Sequence, residues 1–202
     1  MFITFEGIDG SGKSTQILLL RKYLVVNGHK VVTLREPGGT ELSEHIRTVL
    51  LNKKLEVSDV SELLLFQAAR ADLVERIVKP MLAEGRIVLS DRFYDSTTAY
   101  QGYGRGLDLK IVEKSNQIGS QGVLPDITFY LKLERNVALE RRGDDEKDRM
   151  ELSGDEFYGR VIDGYDKLAA KESRFITLDA SKDIKEIHDK VVKEIEKKLN
   201  IN

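Results

Sequence analysis

Two features of this sequence predict an α/β fold, with helices flanking a mostly parallel sheet of about five strands. The first is five short runs of β-branched, aromatic and aliphatic residues, at 2–5, 31–34, 86–89, 127–131 and 175–178. The second is the longer segments between them, where apolar residues recur three and four positions apart, as on one buried helix face. Strands that alternate with helices form β-α-β units, which build parallel sheets.

Two of the intervening segments and the segment after the last strand carry clear helical stripes. The stripes are Ile17, Leu20 and Leu24, then Leu63, Phe66, Arg70, Leu73 and Ile77, then Ile184, Ile187, Val191, Ile195 and Leu199. Ser181 precedes the last stripe, and serine is a favoured N-cap residue, so we expect that helix to begin beside it.

The composition excludes several classes of protein. The chain has 202 residues, of which 41% are hydrophobic and 33% are charged, so it can bury a core and is neither disordered nor fibrous. With 32 basic and 34 acidic residues the net charge is -2, which argues against a nucleic-acid polymer as partner. The absence of cysteine excludes disulfides, thiolate zinc sites and a cysteine nucleophile.

The first residues predict a cytoplasmic location. Met1 leads directly into the first apolar run, with no basic leader and no small-residue cleavage site. No apolar run approaches the roughly 20 residues that span a bilayer. We therefore expect no membrane partner.

A glycine-rich segment between the first strand and the first helix matches the phosphate-binding pattern G-x-x-x-x-G-K-[ST] in full. Its residues are Gly7, Ile8, Asp9, Gly10, Ser11, Gly12, Lys13 and Ser14, followed by Thr15. Glycines let the backbone aim N–H groups at phosphate oxygens, and the helix that follows adds the positive end of its dipole. Lys13 would reach the β- and γ-phosphates of ATP, and the Ser14 hydroxyl would hold Mg²⁺. The motif predicts a P-loop nucleoside triphosphate hydrolase-like fold.

Asp91 is the best candidate for the second metal-organising residue. It follows the third strand, and parallel sheets bind ligands at the carboxyl ends of their strands. A helix N-cap is the alternative role for an aspartate in this position, and both roles can coexist.

The motif alone leaves the class of P-loop protein open. A GTPase switch needs a guanine-reading N-K-x-D motif, and the segment Asn52-Lys53-Lys54-Leu55 fails at its last position. A small-molecule kinase instead needs arginines that converge on the transferred phosphoryl group. Candidates are Arg35, Arg47, Arg70, Arg92, Arg105, Arg141, Arg142 and Arg149.

Several further segments, in order along the chain, resemble the thymidylate kinase family. They are Phe5 to Thr15, Arg35-Glu36-Pro37-Gly38-Gly39-Thr40, Leu65-Phe66-Gln67-Ala68-Ala69-Arg70, Asp91-Arg92-Phe93 and Ala99-Tyr100-Gln101-Gly102-Tyr103-Gly104-Arg105-Gly106. The resemblance covers nearly the whole chain. It implies one nucleotide-kinase domain over residues 1–202, which phosphorylates dTMP to dTDP with ATP and Mg²⁺ by direct in-line transfer, in dTTP synthesis. It also implies a homodimer.

The resemblance implies roles for the dTMP site. Phe66 would stack on thymine, and Arg70, four residues away on the same helix face, would bind a thymine carbonyl. Gln101, which offers a donor and an acceptor, would read the base edge beside Thr97 and Tyr100. The remaining residues implied to hold the sugar, the phosphate or the loop beneath them are Asp9, Tyr103, Arg35, Arg47, Arg92 and Pro37.

The charged segment 140–149 has two interpretations. On charge alone a solvated loop is the commoner structure. The family resemblance instead implies a lid at about 141–149, because Gly10 stands where some family members carry a P-loop arginine. Lid arginines would then contact ATP, and the candidates are Arg141, Arg142 and Arg149. The catalytic residues implied are Lys13, Arg92, Asp9 and Arg142, and the metal-organising residues are Ser14 and Asp91.

Two other classes remain as alternatives. A kinase of another nucleotide would keep the P-loop but should change Phe66, Arg70, Gln101 or Tyr103. A regulatory P-loop ATPase would have no monophosphate site, so it should lack Arg70, Asp91-Arg92 and Tyr100-Gln101 in combination.

Overall fold

Five strands form one sheet in the computed structural model, which describes residues 1–143 and 149–199 without the side chains of Arg142 and Glu151. The strands are β1 (Phe2–Glu6), β2 (Val31–Arg35), β3 (Ile87–Asp91), β4 (Ile127–Lys132) and β5 (Phe175–Asp179). Each coincides with a predicted strand to within two residues at either end. The predicted number of strands is confirmed.

All strand pairs are parallel, in the order β2-β3-β1-β4-β5. The central strand β1 has Phe5 opposite Asp91 of β3 and opposite Phe129 of β4. The connections that leave β1 and β3 run in opposite directions across the sheet. Ligands bind beyond the carboxyl ends of strands at such a point, so the segments that follow Glu6 and Asp91 are placed at one site.

Helices cover both faces of the sheet. They are α1 (Lys13–Val26), α2 (Glu41–Leu51), α3 (Asp59–Leu73), α4 (Lys79–Ala83), α5 (Tyr94–Thr97), α6 (Leu109–Ser120), α7 (Arg135–Arg142), α8 (Gly154–Lys171) and α9 (Ile184–Leu199). A π-helical segment, Val74–Val78, joins α3 to α4, and another, Thr98–Gly104, follows α5. Glu151–Ser153 forms a 3-10 turn. No helix within the described ranges has both the length and the apolar character needed to cross a bilayer.

The core lies on both sides of the sheet because successive strand residues point to opposite faces. Ile3 and Phe5 belong to the larger cluster, which includes residues of α1, α8 and α9. Phe2 and Val88 face the other way, against the end of α3 and the π-helical segment after it. Both faces are therefore closed by helices, and only the sheet edges and strand ends remain for binding.

The predicted start of the last helix is wrong. Helix α9 begins at Ile184, and the Asp183 carboxylate accepts a hydrogen bond from the Lys185 N–H at 2.8 Å. Ser181 instead donates its hydroxyl to Asp179 at 2.6 Å, in the turn that leaves β5. Aspartate and serine cap helices about equally well, so the length of that turn decides between them.

Candidate active site

The glycine-rich loop between β1 and α1 depends on its glycines for its shape. Gly7, Gly10 and Gly12 have φ angles of 136°, 83° and 94°, which residues with a Cβ rarely adopt. A Cβ on Gly7 would lie 2.6 Å from the backbone oxygen of Leu131, which is a clash. The loop therefore needs glycine both for its conformation and for its close approach to β4.

Lys13, the first residue of α1, is buried against this loop. Its Nζ donates to the backbone oxygens of Gly7 at 3.2 Å and Ile8 at 3.1 Å, and lies 3.9 Å from the Asp9 carboxylate. Burial lowers the pKa of Lys13, and the nearby Arg92 lowers it further. A compact cation held in this way can exchange carbonyl contacts for phosphate oxygens.

Ser14 and Asp91 meet at the ends of α1 and β3. The Ser14 hydroxyl donates to Asp91 Oδ2 at 2.9 Å. Asp91 does not cap the following helix, since α5 begins at Tyr94 with Phe93 in the N-cap position and no side-chain cap. One hydroxyl and one carboxylate are oxygen ligands of the kind that Mg²⁺ prefers, with phosphates and water completing its shell. The described residues contain no larger group of three or more His, Cys, Asp or Glu that could hold a metal alone.

Arg92 follows Asp91 with a φ of 71°, an uncommon conformation for a residue other than glycine. This turn directs its guanidinium toward the loop, where it donates to Asp9 Oδ1 at 2.8 Å. It also donates to the hydroxyls of Ser96 at 3.0 Å, Tyr165 at 3.2 Å and Tyr100 at 3.3 Å. Asp9 of the loop, two hydroxyls of the helical run 94–104 and one hydroxyl of α8 therefore hold this cation in place.

Glu6, at the end of β1, organises the segment that carries Arg92. The Glu6 side chain is completely buried and accepts hydrogen bonds from the Phe93 N–H at 2.7 Å, Ser96 Oγ at 2.6 Å and the Tyr165 hydroxyl at 2.8 Å. The sequence offers one signal for this role, a charged residue that ends an otherwise apolar strand. The arrangement makes Glu6 a support for the site.

Burial raises the pKa of Glu6 to about 7, with Asp95 adding to the rise and Arg92 opposing it. Folded Glu6 therefore keeps its proton at pH values where the unfolded chain, with a pKa of 4.5, has lost it. The stabilisation that comes from protonated, buried Glu6 is therefore fully present below pH 4.5. It is lost as the pH rises from 4.5 through about 7.

We expect Glu6→Gln to remove this pH dependence. The free energy of unfolding of the wild type, minus that of the variant, should fall between about pH 4.5 and 7 and then level off. Glutamine can keep the same neighbours, because the hydroxyls of Ser96 and Tyr165 can donate or accept. Urea unfolding across this pH range measures the difference, and a value independent of pH would contradict the expectation.

A cleft opens beside Arg92 at the carboxyl ends of the strands. The predicted dTMP residues that line it are Asp9, Pro37, Arg47, Phe66, Arg70, Arg92, Thr97, Tyr100 and Gln101. Met150, Leu51 and Glu36 also line the cleft and were not predicted from the sequence. Six separate segments of the chain meet here, so the tertiary fold assembles the motif residues into one site.

Arg70 is held on one wall of the cleft by side chains rather than by solvent. It is 2% exposed and donates to Glu36 at 2.8 Å, to Gln67 at 2.9 Å and to Thr97 at 2.9 Å. Burial raises the pKa of Glu36, and the ion pair with Arg70 acts against that rise. This network orients the guanidinium before any ligand binds.

Two predicted dTMP residues lie outside the cleft lining in this conformation. Arg35 is exposed and forms an ion pair with Glu44 at 3.0 Å. Tyr103 lines a different cavity, beneath the ammonium group of Lys167. The segment that carries Tyr100 and Tyr103 is a π-helix, in which the Arg105 N–H donates to the Tyr100 backbone oxygen at 2.9 Å. In a π-helix, residues three positions apart point in more different directions than in an α-helix, so Tyr100 and Tyr103 face different cavities.

A second cavity borders the other side of the glycine-rich loop. It is lined by the predicted ATP residues Gly10, Ser11, Gly12, Thr15 and Arg141, and by Lys182, for which the sequence held no signal. Ile8, in contrast, packs its side chain into the core and offers its backbone oxygen to Lys13. The loop therefore has Asp9 on the cleft and its following residues on this cavity.

The other two lid arginines differ from Arg141. The side chain of Arg142 lies outside the described part of the structure, as do residues 144–148. Arg149 points away from the glycine-rich loop, donating to the backbone oxygen of Leu50 at 2.9 Å and pairing with Glu62 at 2.6 Å. In this conformation Arg149 anchors its segment, and among the described side chains of the predicted lid Arg141 borders the second cavity.

A phosphate-binding loop with a cavity on one side and an arginine-lined cleft on the other defines a P-loop kinase of small phosphorylated molecules. A sequence model described as thymidylate kinase matches residues 5–191. The chain belongs to the thymidylate kinase family.

The relatives agree with this assignment. A thymidylate kinase of Prosthecochloris aestuarii is 52% identical over 96% of this chain and 92% of its own length. One of Chlorobium luteolum is 50% identical over 98% of each chain. The crystal structure of thymidylate kinase from Ehrlichia chaffeensis superposes with a TM-score of 0.79, at 40% identity over 96% of this chain and 98% of that one.

These similarities confirm the predicted family, fold class and enzyme class. The family's activity is ATP-dependent phosphorylation of dTMP to dTDP, and ATP is its phosphoryl donor. Membership decides against the regulatory ATPase and against a kinase of another nucleotide.

Proposed function

We propose that this chain moves the γ-phosphoryl group of ATP directly and in line to the phosphate of dTMP. The observation that carries the proposal is the loop shared by two cavities, with Asp9 on the arginine-lined cleft and Gly10 to Gly12 on the other cavity. Two phosphorylated ligands placed on either side of one loop would meet near Lys13 and Arg92. Positioning and charge neutralisation supply most of the catalysis in such transfers.

The base of dTMP would lie between Phe66 and Arg70. Phe66 presents a partly exposed ring to the cleft from α3, which suits stacking on a pyrimidine. Arg70 is already oriented by Glu36 and Thr97, so its remaining N–H groups are the donors for a thymine carbonyl. Gln101 reads the adjoining base edge.

The sugar and phosphate of dTMP would lie nearer the glycine-rich loop. Asp9 is the acceptor for the 3′-hydroxyl, and Arg47 and Arg92 line the cleft as phosphate ligands. Tyr100, whose hydroxyl meets Arg92, stands on the cleft wall, so it is better placed than Tyr103 to crowd the 2′ position of the sugar. Arg35 would join the phosphate only after leaving Glu44.

A magnesium ion would be held by Ser14 and Asp91. When bound it supplies charge neutralisation at the transferred phosphate groups. The 2.9 Å hydrogen bond between the two side chains keeps both oxygens at the carboxyl end of β3, beside the loop.

Residues 1–202 would act as one kinase domain, with a lid at about 141–149. Arg141 lies in the last turn of α7, borders the proposed ATP cavity and is exposed, as a lid residue that moves between states should be. Arg142 remains the other candidate for the catalytic lid arginine.

We expect Arg141→Ala to lower kcat by about 10- to 100-fold while the melting temperature stays within about 1 °C. An exposed arginine contributes little to stability, but a phosphate ligand acts on the transition state. Arg21→Ala, on the exposed face of α1, is the matched control and should leave both values unchanged. If kcat is unaffected, Arg141 does not contact ATP.

A homodimer would bury an apolar face formed by α3 and α6, which pack side by side. Val60 and Leu64 are 54% and 59% exposed on α3, and Ile111 and Ile118 are 59% and 75% exposed on α6. Exposed apolar residues at helical spacing on two adjacent helices suit a partner surface.

Sedimentation equilibrium tests the dimer. We expect a mass twice the 22.9 kDa of one chain, and a shift toward one chain for Leu64→Glu, which would bury a charge in the interface. A wild type that sediments as a monomer at micromolar concentration would refute it. The proposed location is the cytoplasm, where ATP is supplied.

An assay of ADP release with dTMP, dUMP, dCMP, ribose TMP and AMP as acceptors tests the whole proposal. We expect dTMP to have the highest kcat/KM, with dUMP lower by about 10- to 200-fold, since one methyl group is worth about 1–3 kcal/mol. No turnover with dTMP would refute the proposal.

A further inference from the structure

Glu62 on α3 is a completely buried carboxylate that none of the roles above uses. It accepts hydrogen bonds from three side chains, two from the segment 101–105 and one from residue 149. Gln101 Nε2 lies 2.8 Å from it, the Arg105 guanidinium donates twice at 3.2 Å, and Arg149 donates at 2.6 Å.

The charges around Glu62 are balanced. The side chains of Arg105 and Arg149 are 17% and 13% exposed, and Asp59 lies 3.5 Å from Arg105 at the outer edge. Two carboxylates therefore face two guanidinium groups. A buried carboxylate is costly unless it is paired and hydrogen-bonded in this way, so the cluster holds its members in one arrangement.

This arrangement determines which way the Gln101 amide points. A carboxylate can only accept hydrogen bonds, so the amide nitrogen of Gln101 must face Glu62. Because the amide is planar, its oxygen is then turned away from Glu62, on a residue that lines the base pocket. The Gln101 amide oxygen in this position can accept a hydrogen bond from the N3–H of thymine or uracil. It disfavours binding of cytosine, because the N3 atom of cytosine is itself an acceptor.

The same carboxylate holds the end of the lid segment. Arg149 is tied to Glu62 and to the backbone of Leu50, and the next residue, Met150, lines the cleft beside Leu51. Glu62 therefore holds both Gln101 in the wall of the base pocket and Arg149 at the end of the proposed lid.

We propose that Glu62 is a positioning residue that holds the Gln101 amide in its base-reading orientation and, through Arg149, anchors residues 149 and 150 to the base pocket. This inference rests on the proposed dTMP site and adds the residue that determines which hydrogen-bonding edge of a pyrimidine it accepts.

The first test is Glu62→Gln. The new side chain has the same shape as glutamate, but its amide can donate as well as accept hydrogen bonds, so the Gln101 amide can bind it in either orientation. We expect the ratio of kcat/KM for dTMP to that for dCMP to fall at least about tenfold, with a higher KM for dTMP. Glu75→Gln, in an exposed pair with Lys79 on the helical run that continues α3, is the matched control and should keep the ratio. An unchanged ratio in folded Glu62→Gln overturns the inference.

The second test separates positioning from a general structural effect. Gln101→Met should lower the same ratio, and adding Glu62→Gln to it should lower it no further, because Glu62 acts through Gln101. A second fall of equal size in the double variant would show that Glu62 acts independently and would overturn the inference. If the wild type shows no turnover of dTMP, the proposed function itself is refuted, and not only the role of Glu62.

A measurement on the wild type covers the case in which Glu62→Gln does not fold. In ¹⁵N spectra, the side-chain NH₂ signals of Gln101, identified by their loss in Gln101→Met, should exchange slowly with solvent and persist when dTMP binds. Gln117, an exposed residue of α6, provides the comparison. Exchange of Gln101 as fast as that of Gln117 would overturn the inference.

Discussion

Lys13→Ala should lower kcat by at least about 100-fold, the largest loss that we expect from a single residue of this site. Lys13 is the buried cation nearest the loop oxygens, 3.2 Å from Gly7 and 3.1 Å from Ile8, where the phosphates of ATP would lie. Burial lowers the pKa of Lys13, which shows that its ammonium group is already desolvated in the folded protein. No further desolvation of Lys13 is therefore needed during the reaction. Steady-state kinetics with ATP and dTMP measure the loss.

Lys22→Ala is the matched control for Lys13→Ala, because Lys22 is exposed on the same helix. It should keep wild-type kcat. The melting temperature of Lys13→Ala should stay near that of the wild type, since the substitution removes a buried charge rather than a packed apolar group. A kcat for Lys13→Ala within about threefold of wild type would refute the catalytic role, because a transition-state contact is worth far more.

Arg92→Lys should lower kcat/KM for dTMP by about 100- to 1000-fold although the charge is kept. The guanidinium fork contacts Asp9, Ser96 and Tyr165 at once, at 2.8, 3.0 and 3.2 Å. A lysine ammonium is a single point and cannot keep these contacts while also facing two phosphates. The loss should appear in both kcat and KM, because the proposed contact bridges donor and acceptor.

Arg86→Lys is the control for this substitution. Arg86 stands just before β3 in a surface pair with Glu84, and lysine can serve there equally well. If Arg92→Lys behaves like Arg86→Lys, then Arg92 supports the fold of the cleft without contacting the transferred group.

The strands and the glycine-rich loop could be read from the sequence because their signals are local. A run of apolar β-branched residues forms a strand by its own preference, and a loop with three left-handed positions requires glycine. The assignment of Ser14 and Asp91 to one place followed from the same logic, because parallel strands bring their carboxyl ends together.

The supporting residues could not be read in this way. Glu6, Glu36 and Glu62 are three of the 34 Asp and Glu residues in the sequence, and apart from the strand-end position of Glu6 nothing in their local sequence marks them as supports of a site. Burial alone distinguishes them, and burial depends on elements distant in the chain. The partners of Glu62 lie 39, 43 and 87 positions away by residue number, at Gln101, Arg105 and Arg149.

The sequence by itself determined the parallel α/β sheet, the phosphate-binding loop and the family, because periodicity and motif spacing are properties of neighbouring residues. Only the tertiary structure decided that Tyr100 rather than Tyr103 faces the cleft, since π winding changes which residues share a face. It also decided that Arg149 anchors to Glu62 while Arg141 borders the second cavity, beside the glycine-rich loop. Those contacts depend on which residues, distant in the sequence, come together when the chain folds. No local sequence pattern predicts such contacts.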